Sequence, residues 1–363
     1  MMLRGPVVQS RTWMRYVVLA VAACSGFALA IGFLLRFERV NRLVPMAAFS
    51  WVQGIVMTWA ALSLAWLAAL GFSRLVLPAN AQHSTARRNF LRVARGALFA
   101  APAVVVGYGM FVQRLRIGLR EQEIALPGLP ADLDGLKIVQ LTDIHLSAFL
   151  SVVELERAVA IANETRAHIA LVTGDLISFK GDPLDDCLNR LKALRADAGV
   201  FGCLGNHELY TDTEGYVTRQ GARFGMRILR QENHGLQFGA ARLNLAGVDY
   251  QRKSRSGTYL AGGEKLIEPG AFNVLLSHNP DVFPVAAKQG YQLSIAGHTH
   301  GGQVRVEILR ADLNIARFFT PYVDGLYRQD DAAIFVSRGI GTIALPARLG
   351  APPEVALLRL RRA

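Results

Sequence analysis

Aspartate, asparagine and histidine recur in five short islands along the C-terminal part of this 363-residue chain. They read Asp143-Ile144-His145, Gly174-Asp175, Gly205-Asn206-His207-Glu208, His278 and Gly297-His298-Thr299-His300. Carboxylate oxygens and imidazole nitrogens suit divalent ions such as Mn, Fe, Co, Ni or Zn, and the islands hold enough donors for two of them. Taken singly they say little. Asp-x-His is a common capped turn, Gly-Asp is a common turn, Asn206 could cap a helix starting after it, and His278 before Asn279-Pro280 could be a turn residue. Gly-Asn-His-Glu and Gly-His-Thr-His are more specific, and chance does not supply all five in order. Of the seven histidines after residue 113, five fall in the islands. His168 and His234 lie outside and read as structural or surface residues.

Each island follows an apolar run. Lys137 to Thr142 reads as a buried strand ending at Asp143, His168 to Thr173 as a second ending at Gly174-Asp175, and Val200 to Leu204 as a third ending at Gly205. Helical apolar spacing fills the gaps, from Glu154 to Thr165 (Leu155, Val159, Ala162) and from Leu184 to Leu194. Asp143, Asp175 and Asn206 stand 32 and 31 residues apart, a natural length for one strand-helix unit. In such sheets ligands gather at the carboxyl ends of the strands, so islands distant in sequence are expected to converge. Gly174, Gly205 and Gly297 are expected to let the backbone turn tightly there. Further strands are expected at 242–248, 272–276, 292–296, 332–336 and 355–360.

The motif set D-x-H, G-D, G-N-H-[DE], H, G-H-x-H is similar to that of the calcineurin-like metallophosphoesterase superfamily, over roughly residues 120–363. Gly297-His298-Thr299-His300-Gly301-Gly302-Gln303 and Pro352-Pro353-Glu354 resemble its bacterial membrane-associated phosphodiesterase branch. The resemblance implies an α/β fold, a metallophosphoesterase-type β-sandwich flanked by helices, with two divalent ions (Mn, Fe, Zn, Co or Ni). It implies that Asp143, His145 and His300 bind one ion, that Asn206, His278 and His298 bind the other, and that Asp175 bridges them. It makes His207 the catalytic group at the scissile phosphate, with Glu208 orienting His207. A bridging carboxylate suits ions about 3.5–4 Å apart, which turn water into a hydroxide nucleophile near neutral pH. The implied activity is hydrolysis of a phosphate ester, a phosphodiester, on a substrate that membrane attachment would make lipid-linked. Two other readings are a UDP-2,3-diacylglucosamine pyrophosphohydrolase-like enzyme of lipid A synthesis, whose substrate is cytoplasmic, and a non-catalytic membrane scaffold.

The charge is divided. Residues 1–113 hold eleven Arg and one acidic residue, Glu38, whereas the remainder has 29 Lys+Arg against 27 Asp+Glu. A nucleic-acid-binding domain would carry the basic excess on itself; here it flanks apolar segments, and no nucleic acid is expected. Residues 1–113 are therefore expected to be a membrane region with about three transmembrane helices, 16–35, 44–73 and 96–113, followed by a linker at 114–135 and the catalytic domain at 136–363. With the N-terminus inside, inner loops would hold eight Arg (4, 11, 15, 74, 87, 88, 92, 95) against six outside (36, 39, 42, 114, 116, 120). Positive-inside bias then puts a multi-pass protein in the inner membrane with its catalytic domain outside the cytoplasm. Arg87-Arg88-Asn89-Phe90-Leu91-Arg92 resembles a twin-arginine export signal, R-R-x-F-L-K, or is juxtamembrane charge. Three cysteines do not suggest a disulfide framework; Cys187 and Cys203 read as small buried residues. Tyr250 to Gly257 reads as a solvated basic loop or a phosphate contact. Phe318-Phe319-Thr320-Pro321-Tyr322 reads as core packing, a cap on the site, or a lipid contact.

Overall fold

The computed structural model describes residues 16, 19–27, 30–31, 46–76, 84–252, 259–308 and 311–363. They divide into two units, residues 1–108 with 344–346, and the remainder.

In the first unit, residues 19–27 are helical; most of the rest of 16–35 and the arginines around it lie outside the described residues. Helix α1 is Met46–Val76 and α2 is Thr85–Phe111. Two stretches, Ala48–Leu75 and Thr85–Leu115, are long and apolar enough to cross a membrane. α2 starts well before the expected residue 96, so Arg87 to Arg92 form its first turns rather than a preceding loop. The physical reason is local: Arg, Leu and Ala are good helix formers, and no Pro or Gly interrupts them before Gly96. The helix also continues through Pro102. Trp66 Nε1 on α1 donates to Phe99 O on α2 at 2.9 Å.

The second unit holds two six-stranded sheets. The first runs β1 (Gly118–Leu126), β14 (Glu354–Arg362), β2 (Lys137–Leu141), β3 (Ile169–Thr173), β4 (Val200–Cys203), β5 (Met226–Ile228). From β2 to β5 all pairs are parallel; β14 is antiparallel to β2. The second sheet runs β12 (Gly325–Gln329), β13 (Ala332–Val336), β9 (Leu293–Ala296), β8 (Phe272–Leu276), β7 (Ala241–Gly247), β6 (Glu232–Phe238), and its four inner strands are parallel. A hairpin, β10 (Arg305–Ile308) and β11 (Ala311–Asn314), stands apart.

Strand residues alternate between faces. Ile138, Ile169, Leu171 and Leu358 of the first sheet meet Leu245, Val274, Ile295 and Phe335 of the second in one buried layer. The intervening Val139, Leu141, Ala170 and Val172 face α3 (Val152–Glu164) and α4 (Leu184–Leu191). Leu275 and Ala246 turn outward to Ala286 of α6 (Phe283–Gln289). The result is helix, sheet, sheet, helix. Strands buried on both faces read as unbroken apolar runs, which is why β2, β3, β8 and β13 were visible in the sequence. Where the inter-sheet layer nears the islands, the alternation delivers a polar residue. Gln140 is buried and donates to Thr173 Oγ1 (2.7 Å) and to Ala296 O on the other sheet (3.0 Å). Replacing Leu358 with Ala, which opens the inter-sheet layer far from the islands, should destabilise the domain by about 2–5 kcal/mol, read as a lowered denaturant midpoint.

Candidate metal centre

The islands converge. Asp143 follows β2 and Asp175 follows β3. Asn206 and His207 open α5 (Asn206–Thr211) after β4, His278 follows β8, and His298 and His300 follow β9. Both sheets therefore contribute through the carboxyl ends of parallel strands. Three groups of ligand atoms lie within 4.8 Å of one another: Asp143, His145 and His300; His145, Asp175 and His207; Asp175, His278 and His298. Asp175 Oδ2 is 3.0 Å from His278 Nε2 and 3.5 Å from His145 Nε2, so one carboxylate reaches two groups. Asp143 Oδ1 is 3.3 Å from His300 Nε2, and the Nε2 atoms of His145 and His300 are 3.2 Å apart.

These donors suit cations and not each other. His278 Nε2 and Asn206 Oδ1 are buried without a hydrogen-bond partner, a costly state for polar atoms unless something else satisfies them. His278 Nε2 has Asp175 within ion-pair distance but not in hydrogen-bond geometry. Its Nδ1 donates to Thr173 O (2.6 Å), so Nε2 is the nitrogen left for a ligand. Asn206 does not cap α5; Gly205 is the cap residue and Asn206 is the first helical residue. An unsatisfied amide oxygen beside imidazoles and carboxylates is what a bound divalent ion would use.

The electrostatics point the same way. Burial pushes His145 down to about 3 and His298 down to about 4, and takes His300 well below its usual value. All three are thus neutral imidazoles with a lone pair available, the ligating form. Burial would lower His278 too, but the Asp175 and Asp143 carboxylates outweigh it and lift that imidazole to about 10. Burial also raises Asp143 to about 6, against the pull of His278. Two buried carboxylates thus draw cationic charge to this point, and a divalent ion answers that demand more fully than one proton.

Backbone geometry is specialised at the same residues. Asp143, His145, Asp175, His298 and His300 all have positive φ, from 47° to 75°, a region L residues visit rarely and at a cost. Of the three glycines expected to turn the chain, only Gly174 does so by its dihedral (φ 89°). Gly205 and Gly297 are needed for room: a Cβ on Gly205 would strike the Asp175 carboxylate, and one on Gly297 would strike Asp143 and Thr142.

The expectation that Glu208 orients His207 needs correction. Glu208 is buried and accepts from Asp175 N (2.9 Å), Gly205 N (2.7 Å) and Leu176 N (2.7 Å), fixing the Asp175 turn to the Asn206 turn. His207 is held by Ser178, whose carbonyl accepts from its Nδ1 at 2.6 Å. The Ser178 hydroxyl also lies 3.1 Å from His145 Nδ1. Sequence reasoning missed Ser178, a serine in a loop with no distinguishing pattern. It also missed Arg348, a fully buried guanidinium that donates to His300 O (3.1 Å), Ala351 O (3.2 Å) and Gly341 O (Nε, 3.0 Å) and packs on His300. Tyr250, with its hydroxyl 3.4 Å from His298 Nε2, was seen only as part of a basic loop; Lys253 to Gly257 of that loop lie outside the described residues. His168 accepts from Lys137 N through Nδ1, and His234 stacks on Phe201, as structural and surface residues do. Cys187 and Cys203 are buried free thiols.

The model of the calcineurin-like phosphoesterase family matches residues 136–302. Residues 136–302 are a calcineurin-like metallophosphoesterase domain. Metallophosphoesterase YkuE of Bacillus subtilis is 28% identical over 288 residues, covering 76% of this chain and 97% of that protein. A transmembrane protein with metallophosphoesterase domain from Danio rerio is 27% identical over 375 residues, covering 99% of this chain and 83% of its own length. Its Bos taurus namesake is 30% identical over 261 residues, covering 66% and 56%. Together with the buried Asp and His groups, the family makes this chain a metal-dependent phosphoesterase acting on a phosphate ester. Glu208→Gln, which weakens the clamp under Asp175, should reduce metal affinity by about 10–100-fold, measured by titrating Mn²⁺ into the metal-stripped protein. Gly205→Ala should do the same by displacing the Asp175 carboxylate.

Proposed function

We propose that this protein is a membrane-anchored phosphodiesterase with a dinuclear metal centre. Asp143, His145 and His300 hold one ion, Asn206, His278 and His298 hold the other, and Asp175 bridges. The observation that carries the reading is the clustering of buried ligand atoms around Asp143 and Asp175, with His278 Nε2 and Asn206 Oδ1 left without hydrogen-bond partners. When bound, the ions supply Lewis-acid charge to the phosphoryl oxygens and an activated water.

The chain's own residues do the rest. Asp143 accepts from His298 N at 3.0 Å, so the carboxylate at the end of β2 orients the histidine loop after β9. Asp175 Oδ1 accepts from His207 N at 2.9 Å, placing His207 against the bridging carboxylate. His207 belongs to one ligand group by distance, and its ring is half-buried with Nδ1 committed to Ser178 O. In this reading its Nε2 hydrogen-bonds a phosphoryl oxygen and gives a proton to the leaving ester oxygen. Membrane attachment is supported by the two long apolar helices and by relatives named as transmembrane proteins. The arginine asymmetry supports a multi-pass inner-membrane protein with the domain outside the cytoplasm.

Chelation with EDTA should abolish hydrolysis of bis(p-nitrophenyl) phosphate, and Mn²⁺ should restore it. His207→Ala should lower kcat by about 10²–10⁴-fold with metal content retained, whereas Asp175→Asn should lose both activity and metal. A wild-type protein inert with every divalent ion tested would sink the reading, and loss of metal in His207→Ala would make His207 a ligand instead. Periplasmic activity of a phosphatase reporter fused after Arg120 is expected from the topology; cytoplasmic-only activity would reverse it.

A further inference from the structure

From β1 to the C-terminus, seven large apolar side chains among the described residues are exposed, and five of them border the candidate metal centre. Leu209 and Tyr210 follow His207 on α5, with the Tyr210 ring 5.5 Å from the His207 ring. Ile315, Phe318 and Phe319 form a short 3-10 turn and its end, and the two phenylalanines are 87% and 81% exposed. Residues three apart in a 3-10 turn eclipse, so Ile315 and Phe318 share a face. The turn is pinned at both ends to island loops. Asn314 Nδ2 donates to Gly301 O (3.0 Å), beside His300, and the Thr320 hydroxyl donates to Asp281 Oδ1 (2.6 Å), three residues past His278. Tyr322, from the same sequence cluster, is instead packed against Phe283 and Tyr327. The exposed apolar groups are therefore concentrated at the rim of the site and held there by the loops that build it. Apolar groups clustered in this way mark a surface that is covered in use.

The chain itself indicates what covers it. Two of its helices are long and apolar enough to cross a membrane, and only residues 112–117 separate α2 from β1. The rim also mixes aromatic rings with arginine. Arg317 lies between Ile315 and Phe318 in sequence, and the Arg252 guanidinium lies 5.3 Å over the Tyr210 ring. Aromatic side chains interleaved with cations suit the boundary between acyl chains and phosphate head groups.

We propose that the rim formed by Leu209, Tyr210, Ile315, Phe318 and Phe319 rests in the head-group layer of a bilayer, and that the substrate is the phosphodiester of a membrane glycerophospholipid. This rests on the phosphodiesterase reading above. Water oxygen forms the new P–O bond, one ester P–O bond breaks, and a proton goes to the departing oxygen, giving an alcohol and a phosphomonoester.

The test uses the full chain in nanodiscs of phosphatidylcholine and phosphatidylglycerol, in a Cys24→Ser background. Bimane is attached at Phe318→Cys or, as a control on the exposed face of α3, at Val153→Cys. Nitroxide-labelled lipid should quench the probe at 318 strongly and the probe at 153 hardly at all; equal quenching, or none at 318, overturns the rim. In the same nanodiscs the Phe318→Ser, Phe319→Ser double variant should lower the ratio of phosphatidylglycerol to bis(p-nitrophenyl) phosphate turnover by about tenfold; an unchanged ratio counts against the proposal. A wild-type protein that cleaves the soluble diester but no phospholipid overturns the substrate class and leaves the phosphodiesterase reading standing. If it cleaves neither, that reading falls as well, and the quenching result still decides the rim.

Discussion

Three fully buried carboxylates, Asp143, Asp175 and Glu208, set the terms for everything around them. Removing a carboxylate from water is expensive unless donors replace the lost solvent. Here each finds at least one donor on a loop that follows a different strand. Asp143 takes the backbone N–H of His298, Asp175 takes that of His207, and Glu208 takes those of Asp175, Leu176 and Gly205. The groups that need compensation are thereby the groups that align the strand ends, and desolvation and positioning are satisfied by the same bonds. The scheme leaves one oxygen of Asp175 facing His145 and His278, where no backbone donor reaches it.

That arrangement demands crowding, and the crowding explains the glycines and the strained dihedrals. A carboxylate can accept from the next loop only if the loop passes within van der Waals contact, so Gly205 and Gly297 lack the Cβ that would block Asp175 and Asp143. After β2, β3 and β9 the chain also reverses within a few residues of the strand end, through Asp143, His145, Asp175, His298 and His300 at positive φ, joined after β3 by Gly174. Asp and His tolerate this region better than most side chains, but five such residues in one site represent strain that the two packed sheets have to hold.

Much of this was legible in the sequence, for a definite reason. Strands buried on both faces produce apolar runs, and the islands interrupt those runs with residues that packing would not choose, so β2, β3, β4, β8 and β9 and the polar residues that converge after them could be read together. What stayed hidden acts through position rather than type. Ser178 works through a carbonyl any residue could supply, Arg348 is one arginine among many in the sequence but the one that is buried on His300, and Glu208 fitted an expected role that its three N–H bonds contradict. Short or half-exposed strands such as β5 and β6 lack the apolar run. The early start of α2 was missed because charge marks the end of an apolar span without marking the end of a helix.

His207 and His278 show how far environment, rather than residue type, decides chemistry here. Both donate through Nδ1 to a backbone carbonyl at 2.6 Å, so both present Nε2 to the same cluster. His278 is wholly buried between Asp143 and Asp175, where its Nε2 is enclosed by negative charge. His207 sits half-buried at the mouth, its ring edge-on to His145 and to the exposed Tyr210. An identical hydrogen bond therefore leaves Nε2 on a wholly buried ring in one case and on a half-buried ring in the other. His207 shares its half-exposure with His298, whereas His145, His278 and His300 are buried; what sets His207 apart is its place beside the exposed Leu209 and Tyr210 at the start of α5.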